Sequence, residues 1–133
     1  MMQHSIALVD DDAHIVMLLD DLFGEEGYRT LGISAGADAY ATIAREQPDL
    51  VILDLWLEQQ DTGWTIYNRL RADDATARIP VIMCSADVGT LRERAAEIAA
   101  RGDAAIEKPF DIVALLALVT DLLDHASTAR QAV

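Results

Sequence analysis

Apolar positions along the chain keep two rhythms by turns, one of strands and one of helices. SIALV, Ser5 to Val9, reads as a first strand. Ile15, Leu18, Leu19 and Leu22 then recur at i, i+3, i+4 and i+7, one face of a helix, and Gly24 and Gly27 mark its end. Tyr28 to Ile33 is a second strand. The helix after it has Ala37, Tyr40, Ala41 and Ala44 as its apolar face and stops before Pro48. LVIL, Leu50 to Leu53, is a third strand, and the turn-like DTG of Asp61 to Gly63 leads into a helix carrying Ile66, Tyr67 and Leu70. Pro80 to Cys84 is a fourth strand, followed by a helix with Leu91, Ala95 and Ile98 on one face. Ala104 to Glu107 is a short fifth strand. The last helix has a long stripe of Ile112, Leu115, Leu116, Val119, Leu122 and Leu123. From His125 the chain turns small and polar, so a domain over 1–126 and a frayed, flexible tail over 127–133 are expected.

Five strands alternating with five helices predict an α/β fold, a parallel sheet covered on both faces with right-handed crossovers. The near-continuous apolar strands agree with two-sided burial. A length of 133 residues suits one domain with a sizeable core. In such folds ligands bind beyond the carboxyl ends of the strands.

Charge narrows the partners. With 23 acidic against 10 basic residues the formal charge is −13, which repels nucleic acid and anionic membrane. Proteins, metal cations and small molecules remain. No apolar run reaches membrane-spanning length, and the N-terminus lacks the pattern of a signal peptide. The single cysteine, Cys84, excludes an internal disulfide and reads as a small buried hydrophobe, so a cytoplasmic location is expected. His4, His14 and His125 have no ligand spacing and read as surface residues.

The chemistry gathers where the strands end. Asp10, Asp11 and Asp12 follow the first strand, Asp54 closes the third, Ser85 follows the fourth and Lys108 follows the fifth; the second delivers only Ser34. Asp54 stands in VILDLW, where an unpaired buried carboxylate would be costly, and a position at the rim is expected for it. Converging carboxylates raise one another's pKa, and a divalent cation relieves that. Magnesium (Mg2+) suits a site of one or two carboxylates, waters and a phosphate oxygen. An aspartate beside such an ion can act as a nucleophile and become an aspartyl phosphate, whose oxygens then need a cation and a hydroxyl. Lys108 and Ser85 are of those types. Asp12 is the residue type that caps a helix.

At this point the chain resembles the receiver domains of two-component response regulators. The residues carrying the likeness are LVDDD (Leu8 to Asp12), VILDL (Val51 to Leu55), DTGW (Asp61 to Trp64), PVIMCSA (Pro80 to Ala86) and EKPF (Glu107 to Phe110), in the family's order over about residues 4–124. The resemblance implies a doubly wound, flavodoxin-like sheet of order 2-1-3-4-5. It implies that Asp54 accepts a phosphoryl group from a histidine kinase or phosphotransfer protein. Asp10, Asp11, Asp54 and the main-chain carbonyl of Trp56 would bind Mg2+, and Ser85 and Lys108 would hold the phosphoryl oxygens. A cis Lys108–Pro109 bond is implied as well.

The sequence departs from the family's usual pattern in four places. Ala105 stands where a tyrosine or phenylalanine is common. Glu58 replaces a frequent proline in a loop that reads one residue long. Trp56 is bulkier than usual, and Ser85 replaces threonine. The function expected is a stand-alone phosphoacceptor switch acting through an unknown downstream protein, with dimerisation through the fourth and fifth helix faces as a secondary expectation. A phosphorylation-independent interaction module is the alternative, which the full acid, serine and lysine set speaks against. A haloacid-dehalogenase-like hydrolase is disfavoured because DDDAH does not fit DxDx[TV]. Dinucleotide binding fails for want of a glycine-rich loop after any strand.

Overall fold

The computed structural model describes residues 3–59 and 62–131, with the side chains of the last helix followed to residue 126. The elements run β1 (Ser5–Val9), α1 (Ala13–Glu25), β2 (Arg29–Ile33), α2 (Gly36–Glu46), β3 (Leu50–Asp54), α3 (Thr62–Ala72), β4 (Val81–Ser85), α4 (Val88–Ala100), β5 (Ala104–Glu107) and α5 (Ile112–Gln131). All neighbouring strands are parallel, and the sheet order is β2-β1-β3-β4-β5. This is the expected doubly wound α/β sheet.

Alternation along the strands divides the interior in two. Leu50 and Ile52 of β3 join Ile6, Leu8 and Ile82 under α1 and α5, where Leu19, Phe23, Leu115 and Val119 pack. Val51 and Leu53 face the other way, with Val9 and Met83, toward Ile43 of α2, Tyr67 and Leu70 of α3 and Ile98 of α4. Each fully buried branched side chain contributes about 1.5–3 kcal/mol.

Two helices are turned from the expected phase. In α1 the buried residues are Leu19 and Phe23, while Leu18 is 57% exposed. Leu18 and Leu19 lie about 100° apart round the helix, and the large Phe23 ring fixes which of the two turns inward. In α2 the buried residues are Ala39 and Ile43, and Ala37 and Ala41 face solvent. Alanines barely weight an apolar face, so the branched Ile43 decides the phase. The α3 reading holds as written, with Ile66, Tyr67 and Leu70 all buried. Asp61 of the DTG turn lies outside the described residues, and Thr62 and Gly63 open α3. Helix α5 continues to Gln131, beyond the point where the sequence sets a tail, with no glycine or proline there to interrupt it. His14 and His125 are exposed and His4 is half-buried, with Nδ1 3.6 Å from Asp49. Among the described residues no helix is long and apolar enough to cross a membrane.

Candidate metal and phosphoacceptor site

Strand register assembles the site. Val9 pairs with Leu53, so Asp10 comes level with Asp54 one step further on. Asp54 pairs with Cys84, and Ser85 pairs with Glu107, which brings Ser85 and Lys108 to the same edge. The carboxylate oxygens of Asp10, Asp11 and Asp54 lie within 4.8 Å of one another. Lys108 Nζ sits 2.6 Å from Asp10 Oδ2 and 3.0 Å from Asp54 Oδ2. Ser34, at the end of β2, is exposed and outside this cluster.

The backbone fixes each carboxylate. Asp12 N–H donates to Asp10 Oδ1 at 2.9 Å, and Trp56 N–H donates to Asp54 Oδ1 at 3.0 Å. Asp12 itself caps α1 by accepting from His14 N–H at 2.9 Å, which separates it from the acidic trio as the sequence anticipates. The Lys108–Pro109 peptide is cis, and Lys108 N–H donates to the carbonyl of Ser85 at 3.0 Å, tying the β5 end to the β4 end. Ser85 is buried, and its Oγ accepts from Asp87 N–H at 2.9 Å. That bond uses an oxygen lone pair and leaves the hydroxyl proton to donate elsewhere.

Asp54 is only 6% exposed, so it is inside rather than at the open rim the sequence suggests. Burial raises its pKa; the Lys108 hydrogen bond and charge pull it back, and the Asp10 charge adds to the rise. Burial opposes the charge on Lys108, but its hydrogen bonds to Asp10 and Asp54 outweigh that and hold the ammonium above its ordinary range. Three carboxylates against one ammonium leave a surplus of negative charge. The donors are hard oxygens, closely spaced, with one carboxylate under a burial penalty that a second cation would relieve, so the residues fit a divalent ion. Cys84, beside Asp54 in register, is fully buried and its thiol is pushed far up by that burial, which fits a small core residue.

Two residues at this site escape a reading of the sequence alone. Gly63 opens α3 directly against the end of β3, its N–H donating to Leu55 O at 3.1 Å. A Cβ there would stand 1.9 Å from the Asp54 carbonyl oxygen. The turn-like DTG marks a glycine but not this approach. Glu58 has φ +62° and gives its N–H to Asp11 Oδ2 at 3.0 Å, while its carboxylate accepts from Gly36 N–H at 2.6 Å at the start of α2. Proline can adopt no such φ and has no N–H, so the missing proline is explained. Trp56 is 49% exposed beside the cluster, and Ala105 packs against the core without a ring.

Away from the site, Asp103 is a buried acid that the sequence gives no sign of. It accepts from Tyr67 O–H at 2.7 Å and from Val81 N–H at 2.9 Å, and pairs with Arg71 at 3.3 Å. Burial raises its pKa against these partners. Trp64 packs beside Tyr67, with the Arg94 guanidinium 4.2 Å over its ring.

Known proteins share this fold. The family model of the response regulator receiver domain matches residues 6–120. The chain is 34% identical to sporulation initiation phosphotransferase F of Bacillus subtilis, over 84% of this chain and 87% of that protein. It is 35% identical to the DNA-binding dual master transcriptional regulator RpaA of Synechocystis over 96% of this chain, but spans only 52% of that longer protein. The receiver domain of NtrX from Brucella abortus superposes with a TM-score of 0.76 at 30% identity, covering 90% of this chain and 98% of that one. A CheY-like receiver domain protein from Methanospirillum hungatei superposes at 0.84 with 22% identity, over 96% and 99%, and supports the fold. With its sheet order, its acidic cluster and these matches, the chain belongs to the response regulator receiver domain family, a family of phosphorylation-accepting signalling domains.

Proposed function

We propose that Asp54 accepts a phosphoryl group from the phosphohistidine of a histidine kinase or phosphotransfer protein, in a Mg2+-dependent reaction, and that the phosphorylated form changes protein–protein contacts. The observation that carries this reading is the convergence of Asp10, Asp11 and Asp54 with Lys108 bridging two of them. Asp10, Asp11, Asp54 and the main-chain carbonyl of Trp56 would hold the ion. When bound, it neutralises charge on the carboxylates and on the phosphoryl oxygens.

The steps fall to the chain's own groups. A carboxylate oxygen of Asp54 attacks phosphorus, forming a P–O bond as the P–N bond to the donor imidazole breaks. Lys108 keeps its charge and swings from the carboxylate to a phosphoryl oxygen. The Ser85 hydroxyl, already accepting from Asp87 N–H, donates its proton to another. Trp56 N–H holds the carboxylate in place. Exposed Met17 and Leu18 on the first turns of α1 and Val113 on the first turn of α5 lie at this end of the sheet, and supply apolar surface for the donor protein. The likeness to a phosphotransferase covering most of its length supports transfer between proteins. Incubation with a labelled phosphohistidine donor should label the native chain only with Mg2+ and leave Asp54→Asn unlabelled though folded. Labelling of Asp54→Asn at the native level would refute the assignment.

A further inference from the structure

At the edge of the sheet opposite Asp54, the end of α3, the α3–β4 loop, the end of α4 and α5 line an open depression of about 200 Å³. Strand β4 separates the two edges: Pro80, just before it, lines this depression and Cys84 lies by Asp54, about 13 Å of strand away. Three of the chain's ten basic residues line it, Arg71, Arg78 and Arg101, together with His125. In a chain of formal charge −13 that concentration is unexpected. Asp103, a carboxylate in the lining, is engaged by Tyr67 O–H, Val81 N–H and Arg71.

The arginines are not equally engaged. Arg71 uses its terminal nitrogens on Asp103, Thr76 O and Ile79 O, but its Nε is buried and has no hydrogen-bond partner among the described residues. Buried donors in folded proteins have acceptors as a rule, and an exception calls for an explanation, an ion or water being one. Arg101 gives one terminal nitrogen to Asn68 and the other to Glu97. Arg78 is exposed and has neither ion pair nor hydrogen bond among the described residues. A second, more open depression of about 620 Å³ shares Arg71, Ala77 and Arg101, so the first has a route to solvent. Its volume is several times the roughly 30 Å³ that a water occupies, enough for a tetrahedral oxyanion and bridging waters. Guanidinium groups suit such an ion through paired, charge-assisted hydrogen bonds.

We propose that this depression is a binding site for a free tetrahedral oxyanion of the phosphate type, held by Arg71, Arg78 and Arg101 and independent of the Asp54 site. The probe is inorganic phosphate added without Mg2+, at constant ionic strength, to the full isotope-labelled chain. Backbone amides and arginine Nε–H signals are followed by NMR. The expected result is saturable movement of the Arg71 Nε–H, Gly102 and Asp103 signals, with those around Asp54 unmoved. Arg78→Gln, which removes no ion pair or hydrogen bond among the described residues, should weaken binding about tenfold, the effect of one charge-assisted hydrogen bond. Equal shifts with chloride, shifts confined to Asp10 and Asp54, or native affinity in Arg78→Gln would each overturn the proposal and leave a merely hydrated depression.

Discussion

Gly63→Ala adds a single carbon and should damage both fold and site. The new Cβ would stand 1.9 Å from Asp54 O and 2.8 Å from both Asp54 C and Leu55 Cα. A tolerable carbon–oxygen contact is about 3.3 Å, so about 1.4 Å of separation must be found. The obstructing atoms are backbone in the middle of the sheet, and no side chain can swing aside. Overpacking of this kind costs up to about 3 kcal/mol or more, and losing the Gly63 N–H bond to Leu55 adds about 1 kcal/mol. A total of about 4 kcal/mol is a large part of the 5–15 kcal/mol typical of a domain. In urea the midpoint should fall by about 2 M, with the slope unchanged. The same displacement moves Asp54 by about 1 Å, enough to slow phosphotransfer about 100-fold. Gly24→Ala is the matched control: nothing lies within 4 Å of its Cβ, and it sits in α1. It should gain about 0.5 kcal/mol. A Gly63→Ala unfolding free energy within about 0.5 kcal/mol of native would refute the close-approach argument.

Three further outcomes follow from the site. Burial holds the folded pKa of Asp54 above its ordinary 3.8, so the fold binds this proton more tightly than the unfolded chain does. Stability from Asp54 is therefore present in acid and lost as pH rises from 3.8 through the folded value. In metal-free buffer Asp54→Asn should match native in acid and be at least as stable at neutral pH; a lower neutral-pH melting midpoint would contradict this. Magnesium affinity, read by calorimetry, should begin to fall above the usual carboxylate range as pH is lowered, because the ion needs the ionised form. Trp56→Asn should shorten the phosphoryl half-life by removing the bulk of a residue whose backbone N–H bonds the carboxylate; equal half-lives would remove that role from Trp56.

Much of the fold can be read from the residues because parallel strands carry unbroken apolar runs. β1, β3 and β5 fall within a residue of their expected limits. Helix faces were harder where the pattern was degenerate: Leu18 and Leu19 score alike as apolar, and only the packing of Phe23 separates them. The polar residues that end strands reveal the site, since Asp10, Asp54, Ser85 and Lys108 each follow or close an apolar run. What the sequence could not convey depends on separation in space. Gly63 matters through its distance to Asp54 O, Glu58 through backbone φ and two partners far along the chain, and Asp103 through burial against Tyr67 and Arg71. None of these has a local pattern.

Glu58 sets a rule for exchanging parts with relatives. Its N–H orients Asp11 and its side chain starts α2, so one residue supports two distant segments. A loop transplanted from a proline-bearing relative would delete the donor to Asp11 and the cap on Gly36 together. The acidic trio and the α2 start would have to travel with the graft. The loop, Asp11 and the entry to α2 are thus one heritable block, and chimeras cut inside it should fail where chimeras cut at its borders succeed.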